Sequence, residues 1–122
     1  MNITTTKIDS PPCTVLAIEG KVVGAGALDL EAALQQILAA GETRLVLDLA
    51  AAPMVTSSGL RVIIATAKRV RATPAGDLRL VCPSQQMLDV LELAGLLRVF
   101  KVYDSQQEAV ESFRAIERQR DA

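Results

Sequence analysis

The chain has 122 residues, enough for one domain with a core of its own. Half of its residues are hydrophobic, but aromatics are only 2% and Trp is absent, which removes the stacking platforms used on single-stranded nucleic acid. A formal charge of −1 supplies no broad basic footprint, and the lack of any His excludes imidazole acid–base chemistry and histidine metal ligands.

Residues 2 to 9 are rich in Thr and run into Pro11-Pro12, which predicts an edge strand and a turn. Residues 13 to 19 form a nearly continuous apolar run, as for a strand covered on both faces, and Gly20 closes it. Lys21 to Gly26 read as a loop of small and apolar residues. Leu30, Leu34, Ile37 and Leu38 then recur at helical spacing up to Gly41. Arg44 to Ala50 predict the next strand, with Asp48 structural at its end. Leu60, Ile63, Ile64, Ala67 and Val70 mark a second helix, stopped by Pro74 and Gly76.

Leu78 to Cys82 predict a short strand. Ser84 can cap a third helix with Met87, Leu88, Leu91 and Ala94 inward and Gly95 at its end. Val99 to Tyr103 read as a last strand. Ser105-Gln106-Gln107-Glu108 is a capping box, opening a helix with Ala109, Val110, Phe113 and Ile116 inward. Residues 118–122 read as a polar, frayed tail behind a single domain of residues 1–117. The order β-β-α-β-α-β-α-β-α indicates an α/β fold: a mixed, mostly parallel sheet of about five strands with about four helices.

Cys13 and Cys82 lie in or beside apolar runs and read as buried core residues, not as a metal pair. Thr4, Thr5, Thr6 and Lys7 stand where a secretory signal would be apolar, and no apolar run approaches the roughly 18 residues of a membrane span. The expectation is a cytoplasmic protein without membrane insertion. Clustered carboxylates and a Gly-rich phosphate loop are missing, and Asp29 and Glu31 point to different faces of their helix. The chain is therefore read as no enzyme, with no cofactor and no metal.

The stretch Leu45-Val46-Leu47-Asp48-Leu49 followed by Thr56-Ser57-Ser58-Gly59-Leu60 carries the functional signal. It predicts a buried strand, a short loop, then two hydroxyls and a glycine at the mouth of a helix. Unpaired N–H groups and the helix dipole favour an anion there. Together with Gly20 before the first helix and Leu93-Ala94-Gly95-Leu96 closing the third, this stretch resembles the STAS domain of the bacterial anti-sigma-factor antagonists over nearly the whole chain.

The resemblance implies a STAS-like fold and a partner-switching regulator. Such a protein binds an anti-sigma factor that is also a serine-protein kinase. It is phosphorylated at a serine opening the second helix, is released, and is reset by a serine phosphatase. The family pattern Asp-Ser-(Ser/Thr/Ala)-Gly-Leu places that phosphoacceptor at Ser57. The implied partner-binding residues are Val22, Val23, Gly24, Thr56, Ser57, Ser58, Gly59 and Arg61.

Three family acids are replaced here. Thr56 stands for the Asp before the acceptor, a second Asp falls at or beside Val23, and Lys21 stands for a Glu. The expected partner surface thereby turns toward apolar contact through Val22, Val23, Ala25 and Ala27. Arg61, four residues after Ser57, is at neighbour spacing for pairing with a phosphate there. N-capping is the plain alternative role for the two serines. The alternative function is a non-phosphorylated STAS subunit of a lipid-transport ABC system or a stressosome-type scaffold.

Overall fold

A computed structural model describes residues 1–82 and 84–114. The expected Ile116, the domain end at residue 117 and the tail 118–122 lie outside the described residues. In chain order the elements are β1 (Asn2–Asp9), β2 (Pro12–Glu19), α1 (Ala25–Ala39), β3 (Arg44–Ala51), α2 (Ser57–Arg71), β4 (Asp77–Val81), α3 (Gln85–Leu93), a 3-10 turn (Leu96–Arg98), β5 (Val102–Tyr103) and α4 (Gln106–Ser112). The sheet runs β1-β2-β3-β4-β5 in sequence order. β1 pairs antiparallel with β2, and the remaining neighbours are parallel, as the alternation of strands and helices predicts.

The apolar runs of β2 and β3 are continuous because both faces of the sheet are covered. Leu16, Ile18, Leu45, Leu47 and Leu49 join Leu30 and Leu34 of α1, Ile63, Ala67 and Val70 of α2, and Leu91 of α3 in the main core. On the opposite face Cys13, Val15, Val46 and Val81 pack with Ala109 of α4 and with Phe113, the residue that ends it, in a smaller one. Asp48 serves the local structure, accepting from the Ala50 N–H (2.8 Å) and from Gln106 Nε2 of α4 (2.6 Å).

The far end of α2 is fixed by a partly buried ionic clamp. Arg71 Nε donates to Asp77 Oδ1 (2.7 Å) and Arg79 Nε to Asp77 Oδ2 (3.1 Å). Arg79, only 4% exposed, also donates to Ser112 Oγ (2.6 Å) and lies 4.2 Å over the Phe113 ring, which ties α4 to the sheet. Burial alone would raise the Asp77 carboxyl, but the hydrogen bonds from Arg71 and Arg79 outweigh it and hold the group below the usual carboxylate range.

Two local expectations are corrected. The last strand is only Val102–Tyr103, because the 3-10 turn and the inward Phe100 occupy the approach to it. Ala94 is exposed: α3 ends at Leu93 and Gly95 turns the chain at φ 74°, so the inward stripe continues at Leu96 instead.

Candidate functional site

The loops leaving β2 and β3 lie side by side at the carboxyl ends of these strands, the end where open α/β sheets place their binding sites. The Gly20 N–H donates to the Ala51 carbonyl (2.9 Å), the Val22 N–H to the Met54 carbonyl (2.8 Å), and the Thr56 N–H to the Val22 carbonyl (3.0 Å). Val22 and Val55 thus form a parallel bridge beyond the strands proper. This stitch sets the direction from which the chain enters α2. A Cβ on Gly59 would sit 2.8 Å from Val55 Cγ1 and 3.0 Å from Val22 Cγ1, so the missing side chain is what lets the first turn of α2 pack so closely.

Thr56 is the N-cap of α2 in extended geometry, yet its side chain makes no capping hydrogen bond. Its Oγ1 is buried and has no partner among the described residues. Ser57 and Ser58 are the first two residues of α2 and both are exposed. Neither is the cap, so capping does not account for either hydroxyl. The first turn of α2 holds no acidic residue, and the N–H groups there lack partners within the helix.

Exposed apolar side chains gather on this end of the molecule: Val23 (39% exposed) beside Val22, Met54 (49%) in the loop ahead of Thr56, and Leu28 (69%) on the first turns of α1. Met1 lies over Gly20 at the end of β2 and over Gly26 in the first turn of α1. A groove of about 350 Å³ between α1 and α2 opens beside Ser58, with Leu28, Val62 and Ala65 in its walls and Glu31 and Arg61 lining it. Arg61 is exposed and forms no ion pair among the described residues.

Of the residues assigned to partner contact, Val23, Gly24, Ser57, Ser58 and Arg61 are exposed and Thr56 is partly so. Val22 is corrected: it is 0% exposed, because its side chain fills the space under Gly59 while its backbone carries the bridge. Gly59 is buried as well and acts through packing. Sequence reasoning missed Met54 and Leu28. Leu28 was legible as the apolar residue of α1 that falls off the Leu30, Leu34, Ile37 stripe.

Cys13 and Cys82 are free and buried. Burial, opposed by Arg44 and aided by Glu42, pushes the Cys13 thiol up to about 11, and burial also raises Cys82. Among the described residues no group of three or more His, Cys, Asp or Glu could hold a metal ion, and no helix is long and apolar enough to cross a membrane.

The sequence matches the STAS domain over residues 2–109. A Bordetella bronchiseptica protein, BtrV, whose name places it among the anti-sigma factor antagonists, is 35% identical over 114 residues, 93% of this chain and 96% of that one. An anti-sigma factor antagonist from Mycobacterium paratuberculosis has the same fold at a TM-score of 0.80 and 26% identity, covering 93% of this chain and 95% of its own. The phosphorylated form of the Bacillus cell fate determinant SpoIIAA shares the fold at a TM-score of 0.71 and 18% identity, covering 93% of this chain and 100% of its own. The chain belongs to the STAS domain family, among its anti-sigma factor antagonists.

Proposed function

We propose that this protein is a cytoplasmic partner-switching regulator, not an enzyme. It docks an anti-sigma factor/serine-protein kinase on the surface around Ser57 and is released when that kinase phosphorylates Ser57. A serine phosphatase then restores the acceptor. The observation that carries the reading is the exposed Ser57 hydroxyl at the first residue of α2, set beside the exposed apolar Val23, Met54 and Leu28.

Such a surface favours a dry contact. A phosphate adds about −1.5 to −2 charges at pH 7 and is costly to bury there without new partners. Within its own domain the same phosphate meets the N–H groups and dipole of α2, so the fold tolerates what the complex does not. SpoIIAA, which shares the fold, has a phosphorylated form, and this is the behaviour proposed for Ser57.

Isothermal titration of the purified chain with its anti-sigma factor tests the docking surface. Ser57→Asp and Val23→Asp are each expected to weaken binding by more than about tenfold while the circular dichroism spectrum is kept. Full affinity in both variants would place the contact elsewhere.

A further inference from the structure

The two edges of the sheet are unlike. β5 has 2 residues, whereas β1 has 8, all paired with β2 in unbroken register from Asn2↔Glu19 to Asp9↔Pro12. Among the described residues no strand pairs with the outer edge of β1. Long edges are usually blunted by Pro, by a bulge or by a free charge. β1 has neither Pro nor bulge; of its two charged residues, Lys7 is paired with Glu42 at 3.1 Å and Asp9 is the last residue, at the turn into β2 and away from the middle of the edge. Its middle is Thr4-Thr5-Thr6, exposed, uncharged and β-branched.

A second feature lies along the same edge. A groove of about 340 Å³ separates β1 from α1, with Thr5 and Lys7 on the strand side and Ala33, Ile37 and Ala40 on the helix side. It stays open because the sheet stops at β1.

We propose that β1 is a self-association edge, on which a second copy of this chain adds its own β1 antiparallel, so that one sheet runs through both protomers. A two-fold interface makes every contact reciprocal. An axis at Lys7 would oppose two ammonium groups. An axis at Thr5 opposes no like charges: Thr5 meets the partner's Thr5, Thr4 meets the partner's Thr6, and Ile3 meets the partner's Lys7. Paired threonines favour one another across strands. Ile3, Thr5 and Lys7 share one face by the alternation of the strand, so the added strand extends the wall of the groove and places an Ile beside it. The antiparallel pairing points the two Ser57 ends in opposite directions and leaves both docking surfaces open. The dimer therefore stands independently of the switching function.

Sedimentation equilibrium of the full chain reads the outcome. Wild type is expected to dimerise reversibly. Thr5→Lys, which sets two ammonium groups face to face at an exposed position, is expected to weaken the dimer by about tenfold, with circular dichroism checking its fold. With a mild thiol oxidant added to take up the two electrons and two protons, Thr5→Cys is expected to form a covalent dimer, since the two-fold axis sets the two thiols directly opposite, where a small closing movement brings the Cβ atoms within disulfide reach of about 4.5 Å, and since Cys13 and Cys82 are buried. A wild-type monomer at the highest soluble concentration overturns the proposal, and so does a dimer that Thr5→Lys leaves unchanged. If Thr5→Lys does not fold, the presence or absence of the Thr5→Cys cross-link decides.

Discussion

The Val22 carbonyl accepts the Thr56 N–H at 3.0 Å, which hangs the start of α2 on the loop that follows β2. The orientation of Ser57 is therefore a property of two loops together, and Gly59 locks them by packing on Val22 and Val55. Gly59→Ala gains about 1 kcal/mol of helix propensity but forces a methyl group between two buried valines, at about 1–3 kcal/mol. The expected net effect is a destabilisation of about 1 kcal/mol, read as a lower urea midpoint at unchanged slope. A raised midpoint would show that the loops have room to spare.

Thr56 offers a test with the opposite sign. Its buried Oγ1 lacks a partner, and an unpaired buried hydroxyl costs about 1–3 kcal/mol. Replacing an N-cap Thr by an apolar residue normally destabilises a helix. Here Thr56→Val removes an unpaired group and loses no cap bond, so thermal unfolding is expected to move upward. A clear downward shift would mean that the hydroxyl has a partner in solution.

Arg61 sits one turn after Ser57 with no ion pair among the described residues. Side chains on a helix lean toward its N-terminus, so a phosphate on Ser57 comes within its reach. A cation favours the dianion and lowers the second phosphate pKa. With phosphoserine installed at position 57 by synthesis, phosphorus NMR is expected to show that pKa rising by about 0.3 unit in Arg61→Ala. Identical titrations would remove Arg61 from the switch.

The Asp77 clamp predicts acid sensitivity. Its folded pKa lies below the unfolded one, so its contribution is complete above about pH 4 and is lost as pH falls through the folded value. Asp77→Asn leaves the buried Arg79 without its carboxylate and is expected to cost about 3 kcal/mol at neutral pH. Denaturant midpoints measured from pH 7 downward should draw closer together for the two proteins as Asp77 is protonated in acid. A constant gap would place the effect of Asp77 outside its charge.

Much of the fold is legible in the sequence because each element carries its own period. The apolar run from Leu45 to Leu49 announces a strand buried on both faces, and Leu60, Ile63, Ala67 and Val70 announce the inner side of α2. What is not legible depends on distant partners. Val22 looks like a surface residue because Val55 and Gly59, which bury it, are far along the chain. Arg79 has a local partner in Asp77, two residues earlier on β4, but gives no local sign of being buried, since Ser112 and Phe113 cover it only when the segment around α4 closes the back of the sheet. At the candidate site, the position of Ser57 at the exposed start of α2 is readable from the sequence, whereas Met54 belongs to no period and shows its exposure only in three dimensions.

The central claim is that phosphate on Ser57 and the docked partner exclude each other. Its most direct measurement incubates the chain with its anti-sigma factor and ATP, following intact mass and complex formation together. The account predicts one phosphate per chain, mapped to Ser57 and absent from Ser57→Ala, with the complex dispersing as the phosphate appears. A complex that persists on fully phosphorylated chain, or a phosphate carried elsewhere, would contradict it.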